Sequence, residues 1–279
     1  MSEARISDPN SQSTPNGELC RCIVDRTPLV DSPAGLAVSE LLFGEAFCVE
    51  RSEGDWVFGR SSHDDYPAWT LRNVLSGNIQ FNPTHYVAVR CGLLFSKPDI
   101  KAVVIGRPSL GAQLMVTGEQ RDFFVCQGGF IHRRHVAPIE DVATDPVDVA
   151  LRLSGAPYLW GGRSGDGIDC SGLIQVALGL CGVAAPRDST PQRALGQDLA
   201  SGERSRGDLV FFPGHVGIMT SATELLHANA FWMTTLVEPL AHVVARLAST
   251  YAQPIVATRR LDVPAIRRSI GRHIQAASA

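Results

Sequence analysis

The sequence predicts an α+β chain in which two small β-barrels precede a domain that opens with helices and closes with strands. Three observations carry this. Before residue 140 no stretch has a helical period, and short apolar runs alternate with Gly, Pro and Asp turn signals. Within that region one block of sequence occurs twice. After Asp141 the pattern changes to helices followed by apolar strand candidates. A chain of 279 residues with 44% hydrophobic content is large enough to bury two or three cores.

Residues 1–18, MSEARISDPNSQSTPNGE, read as a disordered polar leader. No apolar stretch follows the single early arginine, so the leader does not read as a secretory signal. Residues 19–80 form the first predicted barrel, with CIV, LLFGEAFCVE and DWVFGR as strand candidates. Residues 81–140 form the second. The block from Leu41 to Phe58 aligns without a gap onto the block from Pro108 to Val125. Gly44 then meets Gly111, Val49 meets Val116, Asp55 meets Asp122 and Trp56 meets Phe123. Further on, Arg72-Asn73-Val74 matches Arg134-His135-Val136 if the first copy holds a few extra residues around SSHDDY. A tandem repeat of about sixty residues with five or so short strands fits two small barrels. The copies differ where Glu45 stands against Ala112, and where Tyr66 occupies the loop found only in the first. Each is either a solvated surface residue or a contribution of the first barrel to a shared cleft.

The third region, residues 141–279, begins with ATDPVDVALRLSGA, a helix with Pro146 near its start and Gly155 beyond its end. The aromatic and glycine-rich loop PYLWGGRSGDGI leads to a second helix. There Leu173, Ile174, Ala177, Leu178 and Cys181 share one face, Asp169 is the expected N-cap and Cys170 falls in the first turn. APRDSTPQRALGQ reads as a polar loop with a short helix. RGDLVFF, HVGIM and ELLHAN read as three strands, and Ile266, Ile270 and Ile274 mark a frayed surface helix in the tail.

Cys170 is either a small buried side chain or a nucleophile. A helix start favours thiolate through the dipole and unpaired N–H groups, whereas the charge of Asp169 opposes it. A thiolate nucleophile needs a base and a group to orient that base. His215 opens one strand and His227 lies in the next; a hairpin turning about Ser221 would set them directly opposite each other. One cysteine and two histidines from separated elements, without CxxC or HxxxH spacing, do not make a zinc motif, and no metal or cofactor is expected. A net charge of −3 gives no pull towards nucleic acid or anionic membrane, and no apolar run has the length of a bilayer span. The odd count of seven cysteines fits no disulfide framework, which points to a reducing, cytoplasmic setting.

YLWGG, DCSGL, APRDS, GDLVFF, HVGI and LLHAN, in this order across roughly Asp141 to Leu261, resemble the NlpC-type cell-wall cysteine peptidases. That resemblance implies a papain-like fold with Cys170 as nucleophile, His215 as general base and His227 as the residue orienting it. The repeated barrels resemble bacterial SH3-like domains. Two of these ahead of such a domain are similar to the γ-D-glutamyl-L-diamino acid endopeptidases, which cut murein stem peptides bearing an unblocked L-Ala. The similarity implies that Tyr158 lies beside the nucleophile and that Asp169, Ser171, Asp188 and Ser189 line the pocket for L-Ala-γ-D-Glu. It also implies that an acidic residue and a tyrosine of the first barrel close the pocket's end, and Glu45 and Tyr66 are the candidates. A broader wall hydrolase, a catalytically silent wall-peptide binder and an acyltransferase on the same chemistry are the competing expectations.

Overall fold

The computed structural model describes residues 17–77, 80–199 and 203–263. The first barrel is one antiparallel sheet of seven strands: Glu18–Cys22, Arg26–Val30, Ala37–Leu42, Ala46–Glu53, Trp56–Ser61, Pro67–Leu71 and Leu75–Ser76. Alternating residues turn Cys20, Leu29, Leu41, Phe47 and Val57 into its core. Its first strand already begins at Glu18, inside the stretch read as leader. Residues 1–16 lie outside the described residues, as does the predicted tail helix after Pro264.

The second barrel combines a five-stranded sheet with a three-stranded one, Gln113–Leu114, His85–Val87 and Val136–Pro138. Leu42 of the first barrel packs into its core beside Val87, Leu114 and Ile131, so the two barrels share apolar contact. The repeat is visible in the backbone. Gly44 and Gly111 both adopt left-handed φ, at 79° and 90°. The amide of Arg72 donates to the carbonyl of Asp55, and that of Arg133 donates to the carbonyl of Asp122. Arg72–Val74 therefore corresponds to Arg133–His135, one position earlier than the sequence match suggested. Both stretches are single 3-10 turns, so a conserved turn rather than the shared Arg-x-Val spacing fixes the equivalence.

In the third region a helix over Pro146–Leu151 starts as expected, with the Asp145 carboxylate capping the Val147 amide and Pro146 in the first turn. The cysteine helix, Cys170–Leu180, packs against a six-stranded sheet. Strands Gln197–Asp198, Ala257–Arg260, Leu209–Phe212, His215–Met219, Glu224–Asn229 and Thr234–Pro239 follow one another across it. Leu173, Ile174, Ala177, Phe211, Val216 and Leu226 fill the space between helix and sheet, joined by Leu110 of the second barrel. A helix over Leu240–Ala248 covers the other face through Leu240 and Val243. The last two strands of the chain and this helix had no distinct sequence signal. Among the described residues no helix is long and apolar enough to cross a membrane.

Candidate active site

Asp169 builds the start of the cysteine helix. One carboxylate oxygen accepts from the Gly172 amide at 2.7 Å, the other from the Gly161 amide at 2.9 Å. The glycine-rich loop and the helix are thus tied to one side chain. Gly161 has φ of 79°, and an added Cβ would press within 3.2 Å of the Ala37 backbone. Glycine is required there because the first barrel approaches so closely. Arg187 closes on both Asp169 oxygens at 3.0 and 2.5 Å, and also donates to the hydroxyls of Ser171 and Ser39. The Asp169 charge is therefore neutralised within the wall.

Cys170, 7% exposed, lies in the first turn of this helix. Burial, followed by the nearby Asp169 charge, pushes its thiol up to about 11. The backbone amides of Val216 and Ser171 act in the opposite sense. Burial pushes His215 down to about 3, helped by the charges of His227 and Arg246. Desolvation thus outweighs the dipole at the helix start, and burial drives both the thiol and the imidazole towards their neutral forms.

Nε2 of His215 lies 2.8 Å from Nδ1 of His227, with the rings 62° apart. They are not cross-strand partners as predicted. The hairpin pairs Ile218 with Leu226 and Met219 with Leu225, two residues out from the expected register. The cause is the turn. Ser221 Oγ accepts from the amides of Thr223 and Glu224, and Thr220 donates to the Glu224 carbonyl, centring the turn on Ala222. A shift of two keeps both rings on one face, and diagonal neighbours remain within reach of aromatic side chains.

Tyr158, Asp169, Cys170, Ser171, Asp188 and Ser189 line one groove of about 290 Å³, and the first barrel adds Tyr66 and Val38 to its wall. Burial raises the Tyr66 phenol, and so does Asp188, to which the hydroxyl donates. Trp160 stands at the groove, 67% exposed. Glu45 is not there. It is buried against Arg163, whose guanidinium grips both its oxygens at 2.9 and 3.1 Å, and it accepts from the Leu42 amide. It faces a separate cavity, of about 260 Å³, lined by Gln175, Val176 and Gly179 of the cysteine helix. The physical reason is the charge of Arg163, a buried cation from the glycine-rich loop that must be matched where it lies. The groove's carboxylates, Asp169 and Asp188, both come from the third region.

Sequence reasoning missed four residues. Arg187 sits inside the APRDS stretch without having been singled out, and Arg163 follows the glycine pair. Glu238 meets three side chains: Nε2 of His227 at 2.9 Å, Arg246 at 2.5 and 3.1 Å, and Nε1 of Trp232 at 3.5 Å. Asn229, two residues beyond His227 on the same face, has its Nδ2 3.2 Å from that same ring nitrogen. Strand alternation could have placed Asn229; nothing short of the hairpin pairing could have placed Glu238. Among the described residues no group of three His, Cys, Asp or Glu side chains is arranged to hold a metal ion.

Comparison with known proteins agrees with this architecture. Residues 155–245 match the NlpC/P60 family, and residues 29–73 match the bacterial dipeptidyl-peptidase Sh3 domain. The chain is similar to a gamma-D-glutamyl-L-lysine dipeptidyl-peptidase of Bacillus subtilis, 26% identical over 68% of this chain and 71% of the relative. It is 27% identical to dipeptidyl-peptidase 6 of Lysinibacillus sphaericus over 69% of this chain and 80% of that one. A crystal structure of an NlpC/P60 family protein from Bacillus cereus superposes with a TM-score of 0.75 at 20% identity. It covers 87% of this chain and 99% of its own. The fold is a papain-like domain preceded by SH3-like barrels.

Proposed function

We propose that this chain, which carries an NlpC/P60 domain behind a bacterial dipeptidyl-peptidase SH3 domain, is a cysteine endopeptidase acting on murein stem peptides. The bond cut is that between γ-D-glutamate and the L-diamino acid, in peptides with a free amino-terminal L-Ala. The observation that carries this reading is the contact of His227 with His215, next in the chain to Gly214, which lines a groove shared with Cys170, Asp188 and Tyr66.

His215 uses Nε2 on His227, which leaves Nδ1 for the sulfur. Since the resting thiol keeps its proton, Nδ1 removes it as Sγ attacks the γ-carbonyl carbon. The oxyanion that forms is met by the first amide of the cysteine helix and its dipole. Collapse breaks the C–N bond, and the imidazolium returns its proton to the leaving amine. Water, deprotonated by His215, then hydrolyses the thioester and frees the L-Ala-γ-D-Glu product.

The α-ammonium of L-Ala is a cation, and a charge-assisted hydrogen bond to a carboxylate is the strong way to hold it. Asp169 is already neutralised by Arg187, so Asp188, supported by the Tyr66 hydroxyl, is the carboxylate that receives the amine. An acylated amine would leave Asp188 unpaired in the groove, which rejects it strongly. Tyr66 and Val38 narrow the groove from the first barrel, and this favours short peptides over polymeric wall. The role that follows is recycling of released stem peptides in the cytoplasm.

Mass spectrometry of products from L-Ala-γ-D-Glu-diaminopimelate tests the reading. The expected products are the dipeptide and free diaminopimelate. Acetylating the L-Ala nitrogen should slow cleavage by about 100-fold or more, and Cys170→Ala should abolish it. Equal rates on free and acetylated peptides would refute the amine site, and full turnover by Cys170→Ala would refute the nucleophile.

A further inference from the structure

The catalytic histidines do not end at His227. Its Nε2 has two neighbours with opposite demands. Glu238 Oε1, at 2.9 Å, is an acceptor; burial raises its pKa, but Arg246 and His227 hold the carboxyl below the usual carboxylate range. Asn229 Nδ2, at 3.2 Å, is a donor, because Asn229 Oδ1 is committed to the Phe231 amide at 2.6 Å. Glu238 asks for a hydrogen on Nε2; Asn229 asks for a lone pair there. The two outcomes propagate in opposite directions through the imidazole pair.

Resting on the peptidase reading above, we infer that Glu238, clamped by Arg246, is the positioning residue that sets the proton pattern of both imidazoles and so makes His215 a base. With hydrogen on Nε2, the His227 Nδ1 lone pair accepts from His215 Nε2–H, and His215 Nδ1 is left with a lone pair free to act as a base. With a lone pair on Nε2, every proton moves one place. His227 Nδ1–H donates to His215 Nε2, His215 Nδ1 carries the hydrogen, and no base is available. The charged acceptor at the shorter distance wins, since hydrogen bonds to ionised groups are roughly twice as strong as neutral ones.

The surroundings are built to keep Glu238 charged and oriented. Arg246 from the helix over Leu240–Ala248 engages both oxygens, and Trp232 Nε1 reaches Oε2 at 3.5 Å. Arg246 lies under the Phe231 ring, 4.6 Å from its centre, so the aromatic turn covers the ion pair. Those contacts give a purpose to Phe231 and Trp232, which are otherwise exposed at 63% and 51%. A glutamine at 238 would keep the shape but fail this logic. Arg246 and Trp232 demand acceptors, so the amide turns its NH₂ towards His227 and joins Asn229 in favouring the unproductive pattern.

The experiment uses Glu238→Gln in the full chain, read by kcat and KM on the stem peptide, by Cys170 alkylation with iodoacetamide, and by nitrogen NMR of the histidine rings. Expected are a kcat 10- to 100-fold lower, KM within about twofold, alkylation slowed in parallel, and hydrogen shifting from Nε2 to Nδ1 of His227. Adding Asn229→Ala to this variant should restore part of the rate, which a merely structural role for Glu238 would not produce. A folded Glu238→Gln with wild-type kcat and unchanged ring-nitrogen signals would overturn the inference. If that variant does not fold, Arg246→Gln serves. Its acid limb of alkylation should move up by about half a pH unit or more as Glu238 loses its clamp, and an unmoved limb would count against the proposal. Alkylation and NMR need no substrate. Wild-type protein that shows the expected ring protons but leaves the peptide uncut would sink the substrate reading alone.

Discussion

The two barrels share a strand plan yet meet the rest of the molecule in different ways. The first presents charge. The Glu45 carboxylate accepts from the Arg163 guanidinium and the Glu40 carboxylate from the Arg163 amide, Asp64 accepts from Gln175 in the cysteine helix, and Ser39 accepts from Arg187. The second attaches mainly through neutral and backbone contacts. Ser109 accepts from the Gly165 amide, Tyr86 donates to the Asp141 carbonyl, and Leu110 enters the catalytic core. At equivalent positions Glu45 grips a cation, while Ala112 is buried in apolar surroundings. One copy is thus bonded to the groove's supports and lends it Tyr66; the other buttresses the domain from behind. Duplication supplied two scaffolds, and a single side chain plus a short insertion separated their roles.

The sharpest way to break this contrast is Glu45→Ala. It leaves Arg163 buried without its carboxylate, and removing one partner of a buried pair costs about 3–5 kcal/mol. Thermal or denaturant unfolding should show that loss, while KM of the remaining folded protein stays near wild type because Glu45 does not line the groove. A raised KM with normal stability would return Glu45 to the pocket. Tyr66→Phe should do the reverse. Stability should hold, and KM for free-amine peptides should rise about 5- to 10-fold from loss of a hydrogen bond of about 1–1.5 kcal/mol to Asp188. Steady-state kinetics on paired free and acetylated peptides would show it.

Acid should expose the same asymmetry more gently. Burial raises the Glu45 pKa, but Arg163 and His63 overcome it and hold the group below its usual value. Such a carboxylate contributes stability that is fully present above the unfolded value of about 4.3 and lost as pH falls through the folded value. Melting midpoints taken downward from about pH 6 should therefore drop more steeply for wild type than for Glu45→Gln; parallel curves would contradict the pairing. The smallest effect belongs to the buttress. Ser109→Ala, which removes the acceptor of the Gly165 amide, should cost about 1 kcal/mol in unfolding experiments and leave kinetics unchanged.

What could be read from the chain follows the range of the forces involved. The helix cap at Asp169 with the cysteine behind it, and the approach of the two strand histidines, depend on neighbours close in sequence, and local pattern was enough to indicate each of them. Tyr66 was legible because only the first copy has its loop. Glu45 differed between copies too, but a sequence difference cannot say which long-range partner a carboxylate will meet, and Arg163 took it. The hairpin register failed by two residues because a serine hydroxyl, not symmetry about that serine, centres the turn. Glu238 was invisible for a similar reason: its meaning comes from His227, across a pairing that periodicity does not disclose.

Arg163 also bears on how far the parts can be exchanged. Its side chain is only 5% exposed, and its anionic partner belongs to the first barrel, whereas the helix it bonds to, through Gln175, belongs to the third region. A fragment starting after the first barrel would lose both the Glu45 carboxylate and the Glu40 contacts that hold Arg163, so the third region is not a cassette that can be lifted out unchanged and joined to another binding module. Any recombinant fusion or natural shuffling would have to replace residue 163 in the same step, or bring a new acid to the place Glu45 now fills.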